Sequence, residues 1–147
     1  MFDQKDFAIL RELQLDSRAS VVRIAKRTHL PPTTVHNRIR KLQRESVIKR
    51  YTIELDNRKL GKDIAAYVLI AVDYRLLKEK SVSQYELAEK IRKHGCVEEV
   101  SMVTGASDIL VKLRSKSMDE LNNFITKELR RIDGVEKTQT MMVLCEL

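Results

Sequence analysis

The stretch Ser20–Arg44, SVVRIAKRTHLPPTTVHNRIRKLQR, divides at the pair Pro31-Pro32 into two short amphipathic segments. In the first, Ser20 is a residue type that caps helices. Val21, Ile24 and Ala25 then recur on one side while Arg23, Lys26 and Arg27 fall on the other, which predicts a helix ending near His29. Pro31 and Pro32 stop that helix, and Pro32 suits the first position of the next one, where a missing N–H leaves no bond unmade. In the second segment Val35, Ile39 and Leu42 stand at i, i+4 and i+7 and form an inward stripe. The outward side is left to Thr33, Thr34, His36, Asn37, Arg40, Lys41 and Arg44.

Upstream, Phe7, Ile9, Leu10 and Leu13 recur at helical spacing from Asp3, with Asp6, Arg11 and Glu12 opposite. Three helices joined by tight turns make a helix-turn-helix, whose last helix presents its N-terminal residues to the major groove. The charge agrees. The first fifty residues carry twelve Lys/Arg and five Asp/Glu, and the remainder sixteen of each, so the net +7 of the chain lies in its first third. From Arg18 to Arg50 there are ten basic residues and one acid, Glu45. A polyanion is the expected partner. Asn37 suits a bidentate contact to adenine, Arg40 suits guanine or a phosphate, and His36 suits a phosphate. Thr33, Thr34 and Lys41 share that face, and Arg18, Arg23, Lys49 and Arg50 flank it as further DNA-binding candidates. Arg38 has two readings, a DNA contact or an aliphatic stem leaning back on the first helix.

After Leu42, Val47, Ile48, Tyr51, Ile53 and Leu55 alternate with Lys49, Arg50, Thr52 and Glu54, a period of about two that predicts a connecting strand. Ala65 to Tyr74 is nearly continuous in apolar character, as for a central strand covered on both faces. Tyr85, Leu87, Ala88 and Ile91 give a helix that ends at Gly95. Cys96–Val103 and Ile109–Leu113 read as a hairpin around Thr104–Asp108. Met118, Leu121, Phe124, Ile125 and Leu129 give a second helix, stopped by Asp133-Gly134, and Val135–Leu147 reads as a last strand. The order β-α-β-β-α-β is that of a ferredoxin-like fold. A faint repeat supports it, since Gly95 and Gly134 are each followed by Val-Glu, at Val97-Glu98 and Val135-Glu136. The expected class is therefore α+β, with a helix-turn-helix at 1–50, a connecting strand or hinge at 51–63 and a ferredoxin-like domain at 64–147.

Such a fold hosts many functions, so function must come from the residues. The strand Ile109–Leu113 carries no aromatic residue and its domain has no net charge, which disfavours RNA. No nucleophile, base and orienting group converge at defined spacing, and no Gly-rich phosphate loop exists, so neither an enzyme nor a bound cofactor is expected. Cys96 and Cys145 lack metal-ligand spacing and read as reduced, buried thiols. No run approaches the 18 apolar residues of a membrane span, and the first residues mix acids with bases, so a cytoplasmic protein is expected.

Taken together, the chain resembles the Lrp/AsnC family of leucine-responsive, or feast/famine, transcription regulators. The resemblance rests on Asp3 and Asp6 before Ile9-Leu10, Asp16-Ser17-Arg18, Ile24-Ala25-Lys26, Val35 with Arg38-Ile39 and Leu42, Val47-Ile48 with Tyr51, Leu60-Gly61, Thr104-Gly105 with Asp108, and Gly134-Val135. It implies a homodimer built through the βαββαβ domain, often assembled into an octamer, with a small amino-acid effector held between domains of neighbouring dimers. By position the implied crevice falls on Met102, Thr104, Gly105 and Asp108, with Met118, Met141 and Met142 nearby. Backbone N–H groups in the turn suit a carboxylate, while Asp108 suits an ammonium, a loop amide, or merely the cap of its own hairpin. Two positions depart from the family pattern: Pro31 stands where Ser is frequent, and Ser46 where Gly is common, which would put a side chain at positive φ. The expected function is sequence-specific regulation of transcription on double-stranded DNA. The alternative is an architectural DNA-wrapping protein without an effector.

Overall fold

The computed structural model describes residues 1–146 and divides into two compact units, Met1–Leu55 and Asp56–Leu147. In the first unit α1 (Gln4–Leu15) starts at Asp3, whose carboxylate accepts the N–H groups of Lys5 and Asp6 while Asp6 returns a bond to the Asp3 N–H. This reciprocal cap satisfies donors that the helix cannot use internally. Ser20 caps α2 (Val21–Thr28) at Arg23 N, and His29 ends it in the left-handed region at φ 53°. Pro32 opens α3 (Pro32–Arg44), with Pro31 at the cap position making no side-chain bond. Ile9, Ile24, Ala25 and Val35 form the core, with Leu13, Val21 and Ile39 packed around it. Phe7, expected inside, is 62% exposed. It lies two residues from Ile9, and positions i and i+2 of a helix face opposite ways.

The alternating segment after α3 is not a strand within this chain. Val47 and Ile48 donate to Leu42 O and close α3, and Ser46 stands at φ 57°, as the resemblance implied. Beyond them no ladder forms among the described residues, and Tyr51, Ile53 and Leu55 are exposed. Alternation supplies two faces, but a strand also needs a paired neighbour.

In the second unit four antiparallel strands, β1 (Ile64–Val72), β2 (Val97–Met102), β3 (Ile109–Ser115) and β4 (Val135–Met142), lie in the order β2-β3-β1-β4. One face buries Ala66, Val68, Ile70 and Val72 with Ile109, Val111 and Leu113 beneath the helices. The other was expected to be covered as well. Instead Tyr67, Leu69 and Leu110 are half-buried there and Met141 is exposed.

β1 stops at Val72 rather than Tyr74. Asp73 accepts Leu76 N and starts an additional helix, α4 (Tyr74–Glu79), too short for a helical period to show in the sequence. Next, α5 (Gln84–Arg92) buries Leu87, Ala88 and Ile91. The second long helix is broken into α6 (Met118–Asn123), a π turn at Phe124–Glu128 and a 3₁₀ turn at Leu129–Arg131.

Gly134 follows at φ +96°, where a Cβ would collide with Leu77. Ordered β4 pairing ends at Met142, short of the expected strand end, and Leu147 lies outside the described residues. Cys96 is half-buried and its thiol is pushed up to about 11 by burial, whereas Cys145, expected inside, is exposed on the segment beyond β4. That segment is held by Arg114, whose Nη1 and Nη2 donate to the Glu146 carboxylate at 2.8 Å each and whose Nε donates to Glu98 at 2.9 Å.

Candidate functional site

The inward stripe of α3 fixes which side chains its other face displays. Val35 and Leu42 are fully buried, so Thr33, His36, Asn37 and Arg40 are exposed, with Thr34 and Lys41 at the margin. Asn37, His36 and Arg40 make no side-chain hydrogen bond among the described residues, so their polar atoms are available to an outside partner. Lys41 Nζ lies 5.4 Å from the Phe2 ring centroid and 3.4 Å from Met1 O. Lys49 and Arg50 are exposed beyond the end of α3.

Other basic candidates are already engaged within the protein. Arg23 donates to Asp16 at 2.9 Å, and Asp16 also accepts the backbone N–H of Arg18, whose side chain is exposed. Arg27 donates to Glu12 at 2.8 Å. Arg38 turns away from the outward face altogether. Its Nη1 donates to Asp3 at 2.7 Å and to Asp6 at 2.8 Å. Its guanidinium therefore ends in an ion pair with the start of α1, where the sequence had offered either a DNA contact or apolar packing of the stem. The hydrogen bond from Arg38 holds the Asp3 carboxyl below its ordinary value.

A second candidate region lies in the other unit, at the β2–β3 turn. Among the described residues the N–H groups of Thr104, Gly105, Ala106 and Ser107 donate to no protein acceptor. Gly105 stands at φ +122° with open space where a side chain would be. Asp108 does more than cap a hairpin. Its Oδ2 accepts Val72 N at 2.8 Å, its Oδ1 accepts the Tyr74 hydroxyl at 2.8 Å, and its carbonyl accepts Gln84 Nε2 at 3.1 Å. The carboxylate holds the Tyr74 phenol above its usual pKa.

Within one chain the expected effector residues are not all neighbours. Met102, Thr104, Gly105 and Asp108 gather at the turn, beside Ile70 of β1. Met142 pairs with Ala66 and Met141 with Tyr67, about 13 Å further along the sheet at 3.3 Å per residue. Met118 follows β3 at that same far end.

Residues 66–147 match the Lrp/AsnC ligand binding domain, and residues 2–43 match the AsnC-type helix-turn-helix domain. The chain belongs to the Lrp/AsnC family. Among its relatives are an HTH-type transcriptional regulator of Pyrococcus furiosus and the HTH-type transcriptional regulator FL11 of Pyrococcus horikoshii. The first is 36% identical over 142 residues, covering 97% of this chain and 92% of the relative. The second is 39% identical over 142 residues, covering 97% of this chain and 89% of the relative. The fold is that of Bacillus subtilis LrpC, with a TM-score of 0.83 at 26% identity over 100% of this chain and 97% of that one. It is also that of a Neisseria meningitidis transcriptional regulator solved as a complex with L-Met, with a TM-score of 0.86 at 21% identity over 100% and 92%.

This Lrp/AsnC protein is thus an HTH-type transcriptional regulator with a ligand-binding domain, from a family of regulators rather than enzymes. Among the described residues no helix is long and apolar enough to cross a membrane. Two features of this regulator escaped the sequence. The pairing of Arg38 left a trace in the Asp3-x-x-Asp6 cap pattern, but Tyr74 and Gln84 around Asp108 left none, because they belong to elements read as strand end and loop.

Proposed function

We propose that this regulator reads specific double-stranded DNA through the outward side of α3 and responds to a small amino acid. Asn37 and Arg40 would contact base edges, with Thr33, Thr34, His36 and Lys41 completing the face. Lys49, Arg50, Arg18 and Arg23 would bind flanking phosphates. The observation that carries this reading is that the side of α3 opposite Val35 and Leu42 presents amide and guanidinium groups with no protein partner among the described residues, on a segment where ten basic residues stand against one acid from Arg18 to Arg50. Short polar and basic groups on an exposed helix are the chemistry of major-groove recognition.

The effector would seat its carboxylate on the unsatisfied N–H groups of Thr104–Ser107 and its ammonium near Asp108, whose two oxygens keep acceptor capacity beyond their two present donors. Met102 would line this crevice, and Met118, Met141 and Met142 would be contributed by a second copy. The helix-free sheet face bearing Tyr67, Leu69, Leu110 and Met141 supports assembly as a homodimer and, from dimers, an octamer. Effector control then requires the amino acid to bind the assembly states unequally.

The test is selection of bound fragments from random DNA, followed by binding of Asn37→Ala and Lys49→Ala to the enriched sequence and to a scrambled duplex. Asn37→Ala should relax sequence preference, and Lys49→Ala should weaken both duplexes alike. Equal losses on both duplexes for the two variants would remove the base-reading assignment. A thermal-shift screen of the twenty amino acids addresses the effector, since a ligand of the native state stabilises it by mass action. No shift with any of them would favour an architectural DNA-wrapping role.

A further inference from the structure

We infer that Arg38 is a positioning residue for DNA reading: through Asp3 and Asp6 it sets the attitude of α3 against α1 without touching DNA. Arg38 stands at i+3 from Val35, next to Ile39 in the inward stripe, where an apolar residue would ordinarily pack. Its side chain is 25% exposed, and the Asp6 side chain is 1% exposed. Both Asp6 oxygens are committed, Oδ1 to Arg38 and Oδ2 to the Asp3 N–H. Asp3 Oδ1 accepts Arg38 together with the N–H groups of Lys5 and Asp6. The guanidinium is thereby joined to a cap that is itself rigid. A cation at a helix N-terminus opposes the helix dipole, and two carboxylates interposed at hydrogen-bond distance reverse that sign.

The consequence is geometric. α3 otherwise rests on α1 and α2 through apolar side chains, and apolar contact is non-directional. A charged bond between the middle of α3 and the first turn of α1 limits rolling of α3 about its own axis. Asn37 precedes Arg38 by one residue, so a small roll displaces its amide from a base edge. Base recognition depends on such placement far more than phosphate attraction does.

The inference rests on α3 being the DNA-reading helix, and its test separates the two ideas. Binding to the DNA enriched by the wild-type protein, and to a scrambled duplex of equal length, is measured over a range of salt for Arg38→Met, Arg38→Lys, Asp6→Asn and the Arg38→Met/Asp6→Asn double variant. Asn37→Ala serves as the control. Arg38→Met and Asp6→Asn should each lower the specific-to-nonspecific ratio by about tenfold or more, the size of a lost base-pair readout. The salt slope should not change, and the double variant should be no worse than either single one. Arg38→Lys, which keeps the charge, should restore part of the ratio.

If Arg38 instead held a phosphate, Arg38→Met would reduce the salt slope by about 0.9 and Asp6→Asn would leave the ratio intact. Either result overturns the inference, as would an equal loss on both duplexes. Should Arg38→Met fail to fold by circular dichroism, Asp6→Asn and Arg38→Lys decide alone, and an unchanged ratio in Asp6→Asn refutes it. A ratio unaffected by Asn37→Ala would instead show that α3 is not the reading helix.

Discussion

At Gly134 the backbone stands at φ +96° and an added Cβ would drive into Leu77, so Gly134→Ala meets both a left-handed penalty and a packed neighbour. Together these should cost about 2 to 4 kcal/mol of unfolding free energy, measured by denaturant titration. Gly95→Ala provides the contrast. It has no positive φ and nothing within 4 Å, and should change stability by no more than about 0.5 kcal/mol. Ser46 is the converse case, a side chain held at φ 57°. Ser46→Gly should stabilise the first unit by roughly 0.5 to 1 kcal/mol, and a loss of that size would mean that the Ser46 side chain has a use the structure does not reveal. Residues of this kind were legible in the sequence. Ser20 and Pro32 act through their own backbone, so identity and local spacing suffice, whereas the positive φ of Ser46 was expected only because the family commonly has Gly there. Arg38 was legible only by half: helical periodicity gave its face, but its partners lie more than thirty residues earlier, and no period encodes which carboxylate a long side chain reaches.

The elements that misled do so for a related reason. Tyr51, Ile53 and Leu55 alternate as a strand should, yet pairing is a property of two segments and the chain supplies one. α4 went unseen because its six residues, YRLLKE, span too few turns for a period to emerge. The π turn at Phe124–Glu128 slows the rotation of side chains about the axis, which lets Leu121 and Leu129 both face the sheet across eight residues. The segment beyond β4 is governed by charge. Hydrogen bonds from Arg114, with Lys112 nearby, draw the Glu146 carboxyl from 4.5 to about 2. A folded pKa below the unfolded one means that this attachment is complete above the ordinary Glu value and is lost as pH falls towards about 2. The difference in melting temperature between wild type and Glu146→Gln should therefore be steady near neutral pH and shrink between pH 4.5 and about 2. A difference that stays flat through that window would detach Glu146 from Arg114.

For the whole molecule, the charge partition and the open sheet face make two further predictions. Binding to any duplex should weaken steeply with salt, the logarithm of the association constant falling by about 0.9 per phosphate neutralised for each decade. Leu69→Lys places a charge in the middle of the helix-free face and should yield monomers by light scattering, with a weaker hold on DNA. A dimer that survives Leu69→Lys would move the interface elsewhere. The fold class and the exposed polar side of α3 were readable from periodicity and charge, since burial and sign are written locally. The β2–β3 turn was singled out through family resemblance, and its wiring to Tyr74 and Gln84 came only from tertiary structure. The outer strands deserve a last consequence. β2 and β4 end the sheet on either side, and they bear Glu98, Glu99, Glu136 and Lys137 along those rims. Charged side chains along an outer strand disfavour further strand addition, so the two edges of the sheet make a poor template for fibres.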